Sequence, residues 1–117
     1  MRKLLSVATI TLGLSLPADA ASCGGASHYG VGDSYHGRRT ASGETFDAYG
    51  LTAASKTLPF GSKIRVTNAS NGKSVVVRIN DDGPHVAGRI LDLSYGAFSH
   101  IASPSQGVID RVCYTRL

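Results

Sequence analysis

Two runs in the middle of the chain alternate apolar and polar residues. Ile64 and Val66 sit between Lys63, Arg65 and Thr67, and Val75, Val77 and Ile79 alternate with Ser74, Val76 and Arg78. A period of two marks a strand with one face on a core. Asn71-Gly72 lies between the runs and is a strong short hairpin signal. The pattern therefore predicts strands over Lys63–Thr67 and Lys73–Asn80 joined by a tight turn. Shorter runs predict strands at Ser27–Tyr29, Leu51–Ala54 and Arg89–Leu93, and Gly107–Arg116 closes the chain as a last strand, with Val108, Val112 and Tyr114 partly alternating. Thr57-Leu58-Pro59-Phe60-Gly61 reads as a turn, and the glycine-rich stretch from Gly30 to Gly43 is too polar for a core. Ser94 is placed to cap a short helix running to about Ala102, with Ala97, Phe98 and Ile101 on one face and Pro104 just beyond, although Gly96 weakens it. Six or so short strands and one short helix predict a mainly all-β fold, a small closed barrel in which closure removes exposed strand edges.

The ends of the chain change this picture. Met1-Arg2-Lys3, an uncharged apolar run from Leu4 to Leu16, Pro17 and the small-residue triplet Ala18-Asp19-Ala20 have the layout of a secretory signal peptide. The run is shorter than the ~20 apolar residues of a membrane span. Residues 1–20 are thus read as a leader and 21–117 as one domain of 97 residues. A domain of that size has a marginal core, and Cys23 and Cys113 lie at its two ends. In an oxidising compartment they are expected to form a disulfide. The rival reading makes Cys23 a lipidated N-terminus. It lacks the leucine expected three residues upstream and leaves Cys113 without a partner.

After the leader, ten basic and seven acidic residues leave a net charge of +3, spread along the chain. No basic run has the density of a nucleic-acid arm. The expectation is a periplasmic or secreted monomer that meets an anionic wall polymer, with no nucleic-acid partner and no membrane span. His28, His36, His85 and His100 show no metal-ligand spacing, so neither a metal nor a cofactor is expected.

Candidate chemistry concentrates at Val76–Pro84, where an apolar strand runs into Asn80-Asp81-Asp82-Gly83-Pro84. The Gly-Pro turn fixes polar groups at the end of a stiff element. Asp81 reads either as a turn-forming residue or as a catalytic carboxyl, and Glu44 in Gly43–Phe46 as a solvated loop carboxylate or its partner. Tyr29 and Tyr35 border polar stretches and offer flat faces to sugar rings, whereas Phe46, Phe60 and Phe98 read as core. Asp92 lies between Leu91 and Leu93 and is read as structural, a half-buried carboxylate braced by Arg89 or by backbone amides.

Ser27–Gly30 (SHYG), Tyr35–Asp47 (YHGRRTASGETFD), Leu51–Asn68 (LTAASKTLPFGSKIRVTN), Asn71–Pro84 (NGKSVVVRINDDGP) and Gly88–Ser94 (GRILDLS), in that order, closely resemble the RlpA family of lytic transglycosylases. The resemblance implies a double-psi β-barrel, the fold of expansins, barwin-like proteins and family 45 endoglucanases. It also implies endolytic cleavage of MurNAc-GlcNAc β-1,4 bonds in peptidoglycan glycan strands, preferably strands stripped of stem peptides, to leave 1,6-anhydro-MurNAc ends. Longer members carry a C-terminal SPOR domain, which this sequence lacks. The family's essential carboxylates match Glu44 and Asp81. In that reading Asp81 is the acid and then the base, and Glu44 stabilises charge and orients the sugar. Ser55, Asn80 and Asp82 join Tyr29 and Tyr35 as expected substrate contacts.

Two positions depart from the family pattern. Ser55 stands where histidine is usual, and Asp82 where arginine is usual. Serine carries no proton that titrates near neutrality, so this departure favours slow turnover or a rival function. That rival is a non-catalytic, expansin-like glycan-binding module. A barwin-like inhibitor is a third reading, disfavoured because such folds usually carry more disulfides.

Overall fold

The computed structural model describes residues 21–117, so the leader at 1–20 lies outside the described residues. Six strands and one helix follow in order: β1 (Ser22–Tyr29), β2 (Thr52–Ala54), β3 (Lys63–Asn68), β4 (Ser74–Asp81), β5 (Arg89–Ser94), α1 (Tyr95–Ile101) and β6 (Val108–Arg116), with a 3-10 turn at Pro104–Gln106. The strands close into a barrel in the order β1-β5-β2-β4-β3-β6. β1·β5 and β2·β4 are parallel, and the other four pairs are antiparallel.

The alternating runs place their apolar residues as expected. Ile64 and Val66 on β3, and Val75, Val77 and Ile79 on β4, are buried against Leu91 and Leu93 of β5 and against Phe98 and Ile101 of α1. Each large apolar side chain so buried stabilises the barrel by roughly 1.5–3 kcal/mol. Ser94 caps α1 by accepting a hydrogen bond from Ala97 N at 3.1 Å. Gly96 weakens the helix by propensity, but a Cβ there would lie 2.5 Å from the Tyr49 carbonyl oxygen, so close packing of loop on helix requires glycine. At the other end of α1, Asn68 Nδ2 and Asn71 Nδ2 donate to the Ile101 carbonyl at 2.8 and 2.9 Å. The hairpin turn thereby satisfies one of the helix's orphan acceptors.

Three expectations change. β1 begins at Ser22 rather than Ser27, because its glycine-rich start gains order from pairing with β6 and not from its own apolar pattern. On β6 it is Ile109 that is buried, and Val108 is 40% exposed. The register with β1 slips there, Gly24 facing Val112 while Ala26 faces Ile109, which moves the inward set by one residue. Phe60 is 51% exposed at the turn after β2, unlike Phe46 and Phe98, which are core. The expected disulfide is present: Cys23 and Cys113 are register partners on β1 and β6, with Cα atoms 4.1 Å apart.

Candidate functional site

A one-residue irregularity in β4 builds the site. Ala53 of β2 faces Ile79, but the next residue, Ala54, faces Asp81, so Asn80 is the extra residue of a bulge. Ala53 also faces Leu93 on β5, and Ala54 faces Asp92. Ile79, Ala53 and Leu93 therefore form a row in the core, and Asp81, Ala54 and Asp92 form the next row, which opens to solvent. Without the bulge Asp81, two residues on from Ile79, would share the face of the core row instead.

That row floors a groove of about 300 Å³. Ala54 lies between Asp81 and Asp92 in strand order, Tyr29 and Tyr35 form an aromatic wall with ring centroids 5.8 Å apart, and Asp82 to His85 also line the groove. Two strand spacings put the backbones of Asp81 and Asp92 about 10 Å apart. Asp81 is held by three donors. Its Oδ2 accepts from the Tyr29 hydroxyl at 2.8 Å, and its Oδ1 accepts from Ala41 N at 2.9 Å and Asp82 N at 3.0 Å. Tyr29 is fixed in turn by stacking on Phe46, with ring centroids 4.5 Å apart and 8° between planes. Burial first, then the hydrogen bond to Asp81, pushes the Tyr29 phenol well above its ordinary value, so it remains a hydroxyl. A hydroxyl can donate to a carboxylate or accept from a carboxylic acid, so Tyr29 can serve either state of Asp81.

Glu44, expected to stabilise charge and orient the sugar, has a half-buried side chain. It is not among the residues lining this groove. Its Oε1 accepts from Arg78 Nη1 at 2.6 Å, and its Oε2 accepts from Arg78 Nη2 at 3.0 Å and Asn80 Nδ2 at 3.2 Å. The Arg78 hydrogen bonds are the main cause of a Glu44 carboxyl held below its ordinary 4.5, against the opposing effect of desolvation. A carboxyl depressed in the fold adds stability above its unfolded value and loses it as pH falls through the folded one. The pair is 41% and 37% exposed, so this contribution is small. Arg78→Met and the unsubstituted protein should thus differ in urea midpoint near neutral pH, and the difference should shrink as pH falls and Glu44 takes up its proton in both folded and unfolded chains. A difference that persists unchanged in acid would rule the pair out as its source.

Other expected contacts also move. Asn80, expected on substrate, is 1% exposed and donates to Glu44, because the bulge turns it away from the groove row. Ser55 is 4% exposed and accepts from Thr57 N and Leu58 N at 3.2 and 3.1 Å, so its oxygen closes a turn and does not line the groove. Asp82 does reach the groove. It lies beyond the strand end, where alternation no longer applies, and its Oδ2 is 3.7 Å from His85 Nε2. Arg89 does not brace Asp92: its Nε has no hydrogen-bond partner, and Asp92 instead accepts from the Ser27 hydroxyl. Asp92, read from the sequence as structural, also lines the groove. Its alternation with buried Leu91 and Leu93 already put it on the outer face of β5. Among the described residues no group of three or more His, Cys, Asp or Glu is placed to hold a metal ion.

Comparisons with known proteins give the family and the fold. A family profile described as lytic transglycolase matches residues 21–114. The probable endolytic peptidoglycan transglycosylase RlpA of Synechocystis is 59% identical over 83 residues, 71% of this chain and 25% of that protein. The endolytic peptidoglycan transglycosylase RlpA of Pseudomonas aeruginosa is 52% identical over 84 residues, 72% of this chain and 24% of that protein. The chain thus spans about a quarter of the length of the curated relatives it matches. Among solved structures, a Streptomyces papain inhibitor superposes with a TM-score of 0.68 at 21% identity, covering 83% of this chain and 94% of that one. A Clavibacter michiganensis expansin in complex with cellohexaose superposes with a TM-score of 0.65 at 22% identity, covering 83% of this chain and 50% of that one. At those identities the two structures speak for the double-psi barrel alone.

Proposed function

This chain belongs to the RlpA-like family of lytic transglycosylases, and on that premise we propose that it is an endolytic peptidoglycan lytic transglycosylase. It cleaves MurNAc-GlcNAc β-1,4 bonds of glycan strands and leaves 1,6-anhydro-MurNAc ends. The leader-like residues 1–20 support action in the periplasm or outside the cell. No helix among the described residues is long and apolar enough to cross a membrane.

The observation that carries the reading is the placement of Asp81 and Asp92 on either side of one groove floored by Ala54. Asp81 donates its proton to the glycosidic oxygen as the C1–O bond breaks. The C6 hydroxyl of the same muramyl residue attacks C1 and returns its proton to Asp81, so no water is consumed. Positive charge builds on the ring in between, and the Asp92 carboxylate faces it across the groove. Backbones about 10 Å apart leave room for a sugar between two carboxyls. Tyr29 and the amides of Ala41 and Asp82 hold Asp81 in register with the scissile oxygen. Tyr35, half exposed on the same wall, offers its face to a neighbouring sugar.

Ser55 is tied to its turn and takes no part in this scheme. A glycan-binding module without catalysis would use the same groove and aromatic wall. Mass spectrometry of peptide-free glycan strands after incubation separates the two. New anhydro-muramyl ends are expected. Retention of strands in a pull-down with no new ends would leave the binding module as the function.

A further inference from the structure

We propose that Arg78 and Asn80 are positioning residues for Asp81, acting through Glu44 and the turn Thr40–Glu44. The inference deepens the reading of the groove as the lytic site and rests on it.

The turn is bonded to itself and moves as one piece. Thr40 N donates to the Glu44 carbonyl at 2.8 Å, Gly43 N donates to the Thr40 carbonyl at 2.9 Å, and Arg39 Nη1 donates to the Gly43 carbonyl at 2.7 Å. At one end of this piece, Glu44 is gripped by the fork of Arg78 and by Asn80. At the other end, Ser42 N donates to the Asn80 carbonyl at 3.2 Å, and Ala41 N donates to Asp81 Oδ1. All three strand residues that receive the turn, Arg78, Asn80 and Asp81, belong to the bulged end of β4. The clamp and the reacting carboxyl are thus spaced by one element, and the turn links them rigidly.

Stability does not account for this arrangement. An ion pair with both side chains more than a third exposed contributes little to folding. Asn80 is almost wholly buried, yet its Oδ1 has no partner, a cost that a purely structural position would be expected to avoid. What the bidentate geometry does provide is direction, since a guanidinium fork fixes the carboxylate plane as well as its distance. Through the turn, that direction sets where the Ala41 N–H meets Asp81. The tip of the turn, Ala41 to Gly43, is exposed.

A double-mutant cycle on the full chain tests the proposal, with cleavage of peptide-free glycan strands and hydrogen exchange at the Ala41 amide as two separate readouts. Arg78→Met and Glu44→Ala are each expected to lower kcat on the order of 100-fold, as a misplacement of about 1 Å does, with KM changed less than about 2-fold. The double variant should be no slower than either single one, because both remove the same linkage. The Ala41 amide should lose its protection in all three. Arg78→Lys keeps the charge without the fork and should fall between Arg78→Met and the unsubstituted protein, which also covers the case in which Arg78→Met does not fold. A further loss of tenfold or more on adding Glu44→Ala to Arg78→Met would show that Glu44 acts on the sugar directly and would overturn the proposal. Unchanged Ala41 protection in Arg78→Met and Arg78→Lys would overturn it equally. If the unsubstituted protein releases no anhydro ends, the lytic reading fails, and the amide readout still decides whether the clamp positions Ala41.

Discussion

Replacing Asp81 with asparagine is expected to lower the release of anhydro-muramyl ends by about a thousandfold while leaving the barrel intact. Asparagine has the same shape and keeps one oxygen to accept from the Ala41 and Asp82 amides, and its amide nitrogen can donate to the Tyr29 hydroxyl that Asp81 now accepts from. What disappears is the transferable proton. General acid catalysis contributes typically 10²–10⁴-fold, and here one group serves as acid and then as base, so the middle or upper part of that range applies. Glycan binding should persist, because Tyr29, Tyr35 and Asp92 are untouched. The check is mass spectrometry of strand ends alongside a pull-down on the same preparation. Should Asp81→Asn retain more than about a tenth of the activity, the acid lies elsewhere, and Asp92 is the remaining groove carboxylate on the barrel floor.

Loss of the Cys23–Cys113 disulfide is expected to produce the largest change in stability. The bond closes a sequence separation of 90 residues, nearly all of the described residues 21–117. In the chain-entropy model a loop of that length contributes about 4–5 kcal/mol. Native domains are stable by only about 5–15 kcal/mol in total, so a large share of the margin rests on one bond. At roughly 4–8 °C per kcal/mol for a domain of this size, the double variant Cys23→Ser/Cys113→Ser should melt tens of degrees lower. Thermal unfolding followed by circular dichroism reads the shift, and reductant should bring the unsubstituted protein to the same midpoint. A shift of less than about 5 °C would mean that pairing of β1 with β6 holds the ends together without the bond.

Much of the scaffold could be read from residue order. Alternation located β3 and β4 to within a residue, because both strands bury one face on a single core and leave the other wet. β1 was less legible. Its first half is Ser22-Cys23-Gly24-Gly25, with no apolar alternation, and it is a strand because β5 and β6 flank it. The site was legible in part. A strand running into Asp81 and a Gly-Pro turn marked Asp81 as a candidate catalytic carboxyl, and the resemblance matched Glu44 beside it. The partner of Glu44 was not visible, since Arg78 lies 34 residues away and alternation said only that it faced outward. Asp92, which shares the groove with Asp81, was visible as a half-buried carboxylate in need of a partner, but that partner, the Ser27 hydroxyl 65 residues away, was not.

By itself the sequence determined the class of the elements, the hairpin at Asn71-Gly72 and the pairing of the two cysteines, and it made Asp81 a candidate acid. These follow from local rules: a period of two, the preferences of turn residues and the scarcity of cysteine. Only the tertiary structure decided which groups face one another. A bulge at Asn80, seen only against its neighbour β2, brings Asp81 into the row of Ala54 and Asp92 and sends Asn80 to Glu44. Barrel closure then sets Tyr29 against Asp81, 52 residues along the chain. Register between non-adjacent strands has no local signature, because it is fixed by how the whole barrel packs.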